Sequence, residues 1–344
     1  MDPFSQAFLG ASLSQSITRD RGKLGGALII GALSGMAADL DVLIRSDTDP
    51  LLFLEYHRQF SHSLAFIPVG ALVCALFFYF ILRRVNSGIP PDKTGYSFKQ
   101  VYLLSFAGYA THGLLDACTS YGTQLFWPFS SARIAWNTVS IVDPLFTLPL
   151  LVFILLAIFK HKIRYAQLGL AYAVIYLSLG QLQKMRALDA AQALAQQRGQ
   201  QIERLEVKPS FANRHLWKII YQYDNRYYVD AVKLLWQAEI ITGTSVEKLD
   251  IKRDFPWLPE NSQQARDIQR FRWFSNGFLA VNPENRAMIM DARYSMLPNT
   301  IKPMWGIVLN KKAIEAGRME SHVSFVVSHR LNRKTREKFI KMLF

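Results

Sequence analysis

Long apolar runs fill the first half of this chain, and they leave few folds open to it. Residues 24–44, 64–82, 101–117, 143–159 and 165–182 are predominantly apolar, and each is near the ~20 residues that carry a helix across a hydrocarbon core. Lipid offers backbone groups no hydrogen-bond partner, so such runs enter a membrane only as internally bonded helices or closed barrels. The clearest run, 64–82, ends at Arg83-Arg84. Segment 24–44 is rich in glycine and alanine and reads as a true span or a re-entrant helix. Its small residues would let neighbouring helices approach closely.

Charge orients these runs. Arg19, Arg21 and Lys23 precede the first, Arg83, Arg84, Lys93 and Lys99 fill 83–100, and Lys160, Lys162 and Arg164 fill the turn after 159. Loops 45–63 and 118–142 carry only Arg45, Arg58 and Arg133. The positive-inside rule then places the basic loops and the N-terminus in the cytoplasm. With five spans, 45–63, 118–142 and everything after 182 fall outside. The opening residues do not read as a cleaved signal peptide, because the basic residues follow the first apolar stretch. The net charge of +14 over 344 residues would suggest nucleic acid in a soluble protein. Here it reads as contact with anionic lipid, and no nucleic-acid partner is expected. Cys74 and Cys118 do not suggest a disulfide framework.

The ionisable residues beside the runs make an independent statement. Asp39, Asp41, His57, His62, His112, Asp116 and Asp143 all map to the outer face, although the charge rule did not use them. A carboxylate or imidazole at the edge of hydrocarbon is costly, which marks a functional site. Histidine and aspartate without a cysteine pair suit zinc or a similar divalent cation, manganese included. In His112-Gly113-Leu114-Leu115-Asp116 the i and i+4 side chains share one helical face and can address one ion; otherwise they satisfy each other. His57 and His62 do not share a helical face, so a loop-to-helix entry is expected, with Ser61 as its cap. Asp39 and Asp41 would point apart on a continuous helix and together only if the helix ends there. Asp143-Pro144 is either a helix cap or part of the site. His161, His215, His322 and His329 are isolated and read as non-catalytic.

The second half changes character. Residues 183–206 have helical spacing and polar surfaces, and read as a connecting helix. Residues 217–223 and 226–232 alternate with period two about an Asp224-Asn225 turn signal. Stretches 277–282, 286–292 and 303–309 read as strands and 260–274 as a helix. The basic tail (Arg330, Arg333, Lys334, Arg336, Lys338, Lys341) reads as a solvated face. The expected architecture is an all-α polytopic membrane domain (1–182), a connecting segment (183–208) and a soluble extracytoplasmic α+β domain with an antiparallel sheet (209–344).

Several segments resemble a known family: Met1-Asp2-Pro3-Phe4-Ser5-Gln6-Ala7-Phe8-Leu9-Gly10, Ala38-Asp39-Leu40-Asp41-Val42-Leu43, His57 through Leu64, His112 through Leu125, and Ser140-Ile141-Val142-Asp143-Pro144. Together they look like the YdjM-like inner-membrane metal-dependent hydrolases of bacteria. The C-terminal half resembles that family around 209–232 and 292–298. The family is distantly similar to zinc-dependent phospholipases C and P1-type nucleases, helical enzymes with clustered His and Asp ligands. It often has proline before its first aspartate, where this chain has Ala38, and the further histidines of the soluble phospholipases are not evident downstream of Asp116.

The resemblance implies a divalent metal, zinc first, held by His57, His62, His112 and Asp116 with Asp39 or Asp41. Metal-activated water would cleave an ester or phosphodiester of a membrane lipid. Asp39, Asp41 and Asp143 are the expected catalytic carboxylates, and Gln6, Arg58, Thr119, Ser120 and Gln124 the expected contacts to substrate or ligands. The rival expectations are a transporter, disfavoured by the absence of repeats, and a scaffold whose metal only stiffens the bundle.

Overall fold

The computed structural model describes residues 1–85, 95–328 and 333–344. Lys93, His329 and Arg330 lie outside them. The chain divides into two units. One holds Met1–Leu43, Tyr56–Gln181 and Phe211–Asn213, and the other Ile44–Glu55, Leu182–Ser210 and Arg214–Phe344.

The first unit is helical. Helix α1 (Pro3–Ser16) starts on an Asp2 cap with proline in its first turn, where a missing N–H costs nothing. Helix α2 (Leu24–Met36) winds on into a 3-10 run, Ala37–Leu43. A short turn, α3 (Leu52–Tyr56), precedes α4 (Ile67–Val85). Helix α5 (Phe98–Cys118) opens with a Ser97/Gln100 capping box, and α6 (Pro144–Phe159) opens on Asp143. Among the described residues, two stretches, Arg21–Leu43 and Leu64–Val85, are long and apolar enough to cross a membrane; Pro144–Phe159 is apolar but shorter, and the expected spans 101–117 and 165–182 are not among them.

Three helices meet backbone to backbone. A Cβ on Gly10 of α1 would lie 2.6 Å from Gly31 O, and one on Gly108 of α5 would lie 2.4 Å from the same oxygen. Only glycine permits this approach, so the small residues of α2 do set the helix spacing. The crossing fixes the ends of α1, α2 and α5, which carry the polar residues described below.

The run expected over 165–182 and the connecting helix expected after it form one helix. Helix α7 (Arg164–Gln197) runs unbroken through the expected connecting segment, because Gln183–Gln197 contains no glycine or proline. The soluble region then forms two antiparallel four-stranded sheets. The first comprises β1 (Arg204–Pro209), β2 (Leu216–Tyr223), β3 (Arg226–Leu234) and β4 (Ala238–Glu247) in sequential order. It starts before 209, since β1 pairs with β2. The β2–β3 turn is Asp224-Asn225, both at positive φ (46° and 59°), the geometry of a two-residue hairpin.

After the short α8 (Ile251–Asp254) and α9 (Gln263–Phe274), the second sheet follows. It comprises β5 (Leu279–Asn282), β6 (Asn285–Asp291), β7 (Trp305–Val308) and β8 (Ser324–Val327), with α10 (Lys311–Glu315) before β8 and α11 (Arg333–Leu343) after it. One face of the first sheet (Trp217, Ile219, Tyr221) packs on Ala187, Ala191 and Ala195 of α7. Its other face (Ile220, Tyr227, Val229) packs on Phe278, Ala280 and Met290. Cys74 and Cys118 are free and buried.

Candidate metal centre

Three elements of the helical unit bring acceptor atoms to one point. The 3-10 run supplies Asp39 and Asp41, the loop after α3 supplies His57 and His62, and α5 supplies His112 and Asp116. Ligand atoms of Asp39, His62, His112 and Asp116 lie within 4.8 Å of one another, as do those of Asp39, Asp41 and His57. Asp39 belongs to both groups. The switch from α to 3-10 winding at Ala37 aims both aspartates at the cluster, which a continuous helix would not do.

The hydrogen bonds fix what these atoms can be. His112 Nδ1 lies 2.5 Å from Gly35 O. A carbonyl only accepts, so Nδ1 carries a proton and Nε2 is the nitrogen left to offer a lone pair to an ion. His62 Nδ1 faces Asp41 Oδ2 at 3.2 Å and Ser61 Oγ at 3.0 Å, and Ser61 Oγ itself donates to Asp41 Oδ2 at 2.7 Å. Nδ1 of His62 therefore also carries its proton. The two Nε2 atoms then face each other at 2.9 Å. His62 Nε2 is 3.3 Å from Asp39 Oδ1 and 3.2 Å from Asp116 Oδ2.

With Nδ1 engaged on both rings, the two Nε2 atoms and the carboxylate oxygens of Asp39 and Asp116 converge as four potential ligand atoms that need positive charge among them, a metal ion or a second proton on His62. Lone pairs repel unless a cation sits among them, and an imidazole whose other nitrogen is tied to a carbonyl or carboxylate is the usual metal ligand. Asp116 Oδ2 is fully buried and lies 3.0 Å from Arg58 Nε and 3.2 Å from His62 Nε2. The donor set fits a divalent ion. The same demand for positive charge shows in His62: burial opposes its charged form, but Asp116, Asp39 and Asp41 outweigh it and hold its pKa up to about 10. Burial lowers that of His57, with Asp41 opposing. His62, His112 and Asp116 are closed to solvent, whereas the Asp39 and His57 side chains are 28 % and 19 % exposed. Access is on the Asp39 side.

Arg58 stands behind the cluster. Its Nε is 3.0 Å from Asp116 Oδ2, and Nη1 donates to Thr119 Oγ1 at 3.1 Å. Its backbone sits at φ 65°, unusual for a non-glycine. The strain is held by Arg58 N–H donating to Asp41 Oδ2 (2.9 Å) and Gln124 N–H donating to Arg58 O (2.9 Å). Gln6 Nε2 donates to Asp116 Oδ1 at 2.8 Å, and the Met1 ammonium meets the same oxygen. Thr119 and Ser120 are buried just past the end of α5.

Two expectations need correction. Asp143 is engaged as the cap of α6: Oδ1 accepts from Leu145 N (3.1 Å) and Phe146 N (3.3 Å), and Oδ2 accepts from Tyr176 Oη (2.8 Å). It belongs to neither ligand group. Ser61 is no helix cap either, since it holds Asp41, and Ser63 caps the following turn through Phe66 N. His161, His215 and His322 stand outside both groups. Sequence reasoning missed Gly35, whose carbonyl sets the His112 tautomer, and Gly113, which lets His62 approach; a glycine one residue after the histidine was the available signal for the latter.

These features define a helical unit with long apolar segments and a buried His/Asp cluster that could hold a metal ion, followed by a soluble two-sheet region. The chain belongs to the YdjM inner membrane protein family, whose model matches residues 1–187. It is also 23% identical over 119 residues to the uncharacterized protein YfhP of Bacillus subtilis (strain 168), a stretch that covers 34% of this chain and 33% of that protein. The chain thus spans about a third of the length of that curated relative. No solved structure matches. The family match takes in the whole cluster but not the soluble sheets.

Proposed function

We propose that this protein is a multi-pass inner-membrane hydrolase that uses a divalent metal, zinc or else manganese, to cleave an ester or phosphodiester of a lipid-type substrate. The convergence of four potential ligand atoms on one point, with Asp39 open to solvent, carries this reading. Asp39, His62, His112 and Asp116 would hold one ion. Asp41 and His57, with Asp39 shared, would hold a second. An ion there supplies Lewis acidity toward an ester oxygen and an acidified water.

The remaining steps fall to the chain. Asp41 and Gly35 O orient the imidazoles. Gln6 and Arg58 fix Asp116, and Thr119 fixes Arg58. The Arg58 guanidinium offsets the negative charge of the cluster, which favours an anionic headgroup. Asp39, the part-exposed carboxylate, is placed to take a proton from the attacking water. The basic loops support a cytoplasmic N-terminus, which sets the cluster and the soluble region on the periplasmic side, where a headgroup can reach it.

Elemental mass spectrometry of detergent-purified protein tests the reading, with wild type beside the double variant His112→Ala/Asp116→Ala. Stoichiometric zinc or manganese, lost in the variant, supports the centre, and release of phosphorylated headgroup from phospholipid vesicles supports the reaction. Absence of metal after loading with both ions refutes the proposal. Bound metal without turnover on any ester leaves the scaffold reading.

A further inference from the structure

Trp236 is 99 % exposed, the most open large apolar side chain among the described residues. It stands with Leu235, 54 % exposed, at the tip of the β3–β4 hairpin. The tip is tied to helix α7. Arg186 Nη2 donates to Leu235 O (2.7 Å) and Trp236 O (3.3 Å), and Gln183 Nε2 donates to Leu234 O (3.2 Å). A hairpin that only faced water would have little reason to display tryptophan and leucine on a tethered tip.

Helix α7 shows what lies beside the tip. Leu168, Val174, Ile175, Leu179, Leu182 and Met185 are all exposed, and their spacing of three, four and seven residues puts them on one helical face. Up to Met185 the exposed positions of α7 are mostly apolar, with polar Gln167, Ser178 and Gln181 between them, and after it they are mostly polar, at Asp189, Gln192, Gln196 and Gln197, with Ala193 the apolar one. Arg186, which holds the tip, is the residue at that change. The tip therefore lies level with the end of an apolar stripe. Lys184 and Arg214 adjoin the Gln183 tether and Lys233 precedes the tip, with Glu239 across from Lys233 and Glu206 near Lys184 as the opposing acids. Apolar surface below, tryptophan at the boundary and basic residues around it is the profile of a bilayer interface.

We propose that the Leu235–Trp236 tip is a membrane anchor, seated at the headgroup–acyl boundary of the bilayer that covers the exposed stripe of α7. The proposal rests on the expectation from sequence that α7 enters the membrane over 165–182, although this stretch is less apolar than Arg21–Leu43 and Leu64–Val85, and it is independent of any metal. The anchor sets the height of the first sheet above the lipid. It recognises lipid by partition of the indole and leucine and by attraction of the basic residues to anionic headgroups.

Fluorine NMR tests it on the full chain labelled with 5-fluorotryptophan, in vesicles of phosphatidylethanolamine and phosphatidylglycerol. The resonance missing in Trp236→Phe is that of Trp236. A lipid with a nitroxide high on its acyl chain is expected to broaden this line several-fold more than a water-soluble gadolinium chelate does. Broadening by the chelate alone refutes the anchor, and protection from both agents refutes it in favour of a protein contact. Release of the chain from vesicles by alkaline carbonate refutes the entry of α7 and the anchor with it; retention with a water-exposed Trp236 refutes the anchor alone.

Discussion

Gly113 offers a sharp perturbation, because it touches the centre without supplying a ligand. It follows His112 on α5, and a Cβ built on it would lie 2.1 Å from His62 O. That oxygen is backbone, so no side-chain rotation relieves the contact. Reaching ordinary van der Waals separation of 3.4 Å requires α5 and the His62 loop to part by about 1.3 Å, the difference of the two distances. Metal–ligand distances tolerate about 0.2 Å. A His62 Nε2 that recedes from His112 by several times that margin leaves one of four ligands out of reach, and losses of this kind cost about 10–100-fold in affinity. Gly113→Ala is therefore expected to weaken metal binding by at least tenfold while helix content persists. Gly25→Ala is the matched control, since a Cβ there meets nothing within 4 Å. The assay is chelator competition on detergent-purified protein, with far-UV circular dichroism to check the helices. Wild-type metal affinity in Gly113→Ala, with helices intact, would show that His62 and His112 do not share an ion.

Further expectations separate structural from site residues. Asp143→Ala removes the cap of α6 and should cost about 1 kcal/mol in thermal unfolding while metal content stays at wild type; lost metal would return Asp143 to the site. Asp230 is 2 % exposed and takes a bidentate pair from Arg198 (2.7 and 2.9 Å) plus the Gly243 N–H. Asp230→Ala is expected to destabilise the first sheet by about 3 kcal/mol, read as a lowered Tm of the β-sheet signal, and an unchanged Tm would contradict it. Lys218, buried between the sheets, donates to Ser295 Oγ (2.8 Å) and Thr300 O (2.9 Å), and burial with Lys208 nearby pushes its pKa down to about 7. The folded state then binds fewer protons than the unfolded one between about pH 7 and 10.5, so stability rises with pH across that window. The cost is fully present below pH 7. At 1.36 kcal/mol per pKa unit it is at most about 5 kcal/mol. Lys218→Met should flatten the rise of Tm between pH 7 and 10, and a parallel rise in both proteins would refute this origin.

Much of the fold is written locally. The 64–82 run, the Asp143-Pro144 start of α6 and the Asp224-Asn225 hairpin each carry a short-range signal with one structural meaning. The gathering of His and Asp into one cluster was also readable, because ionisable residues beside apolar runs have few other reasons to be there. What was not readable depends on contacts far apart in sequence. Strands β1, β4 and β8 gain their identity from pairing partners. Residues Ile44–Glu55 group with the soluble region, where Asp49 and Glu55 meet Arg270 (2.7 and 2.5 Å); no local pattern in 44–55 announces a partner more than 200 residues away.

The centre itself shows how one contact can do two jobs. In an α-helix Gly35 O would accept from the N–H of Asp39, four residues on. His112 Nδ1 takes that oxygen at 2.5 Å. The winding changes to 3-10 at Ala37, where the cap N–H turns to Ser34 O. An imidazole from α5 thus competes for the carbonyl that would have kept α2 regular, and the tighter turn that results is what points Asp39 and Asp41 the same way. Proline at position 38 would end the helix by removing an N–H; with Ala38 the histidine contact accomplishes the change. The same bond fixes the His112 tautomer, so its Nε2 faces Asp39. Ligand geometry and helix geometry are therefore coupled. Replacing His112 should disturb Asp39 as well as remove a ligand, which makes the loss in His112→Ala larger than in Asp116→Ala although each variant removes one ligand atom.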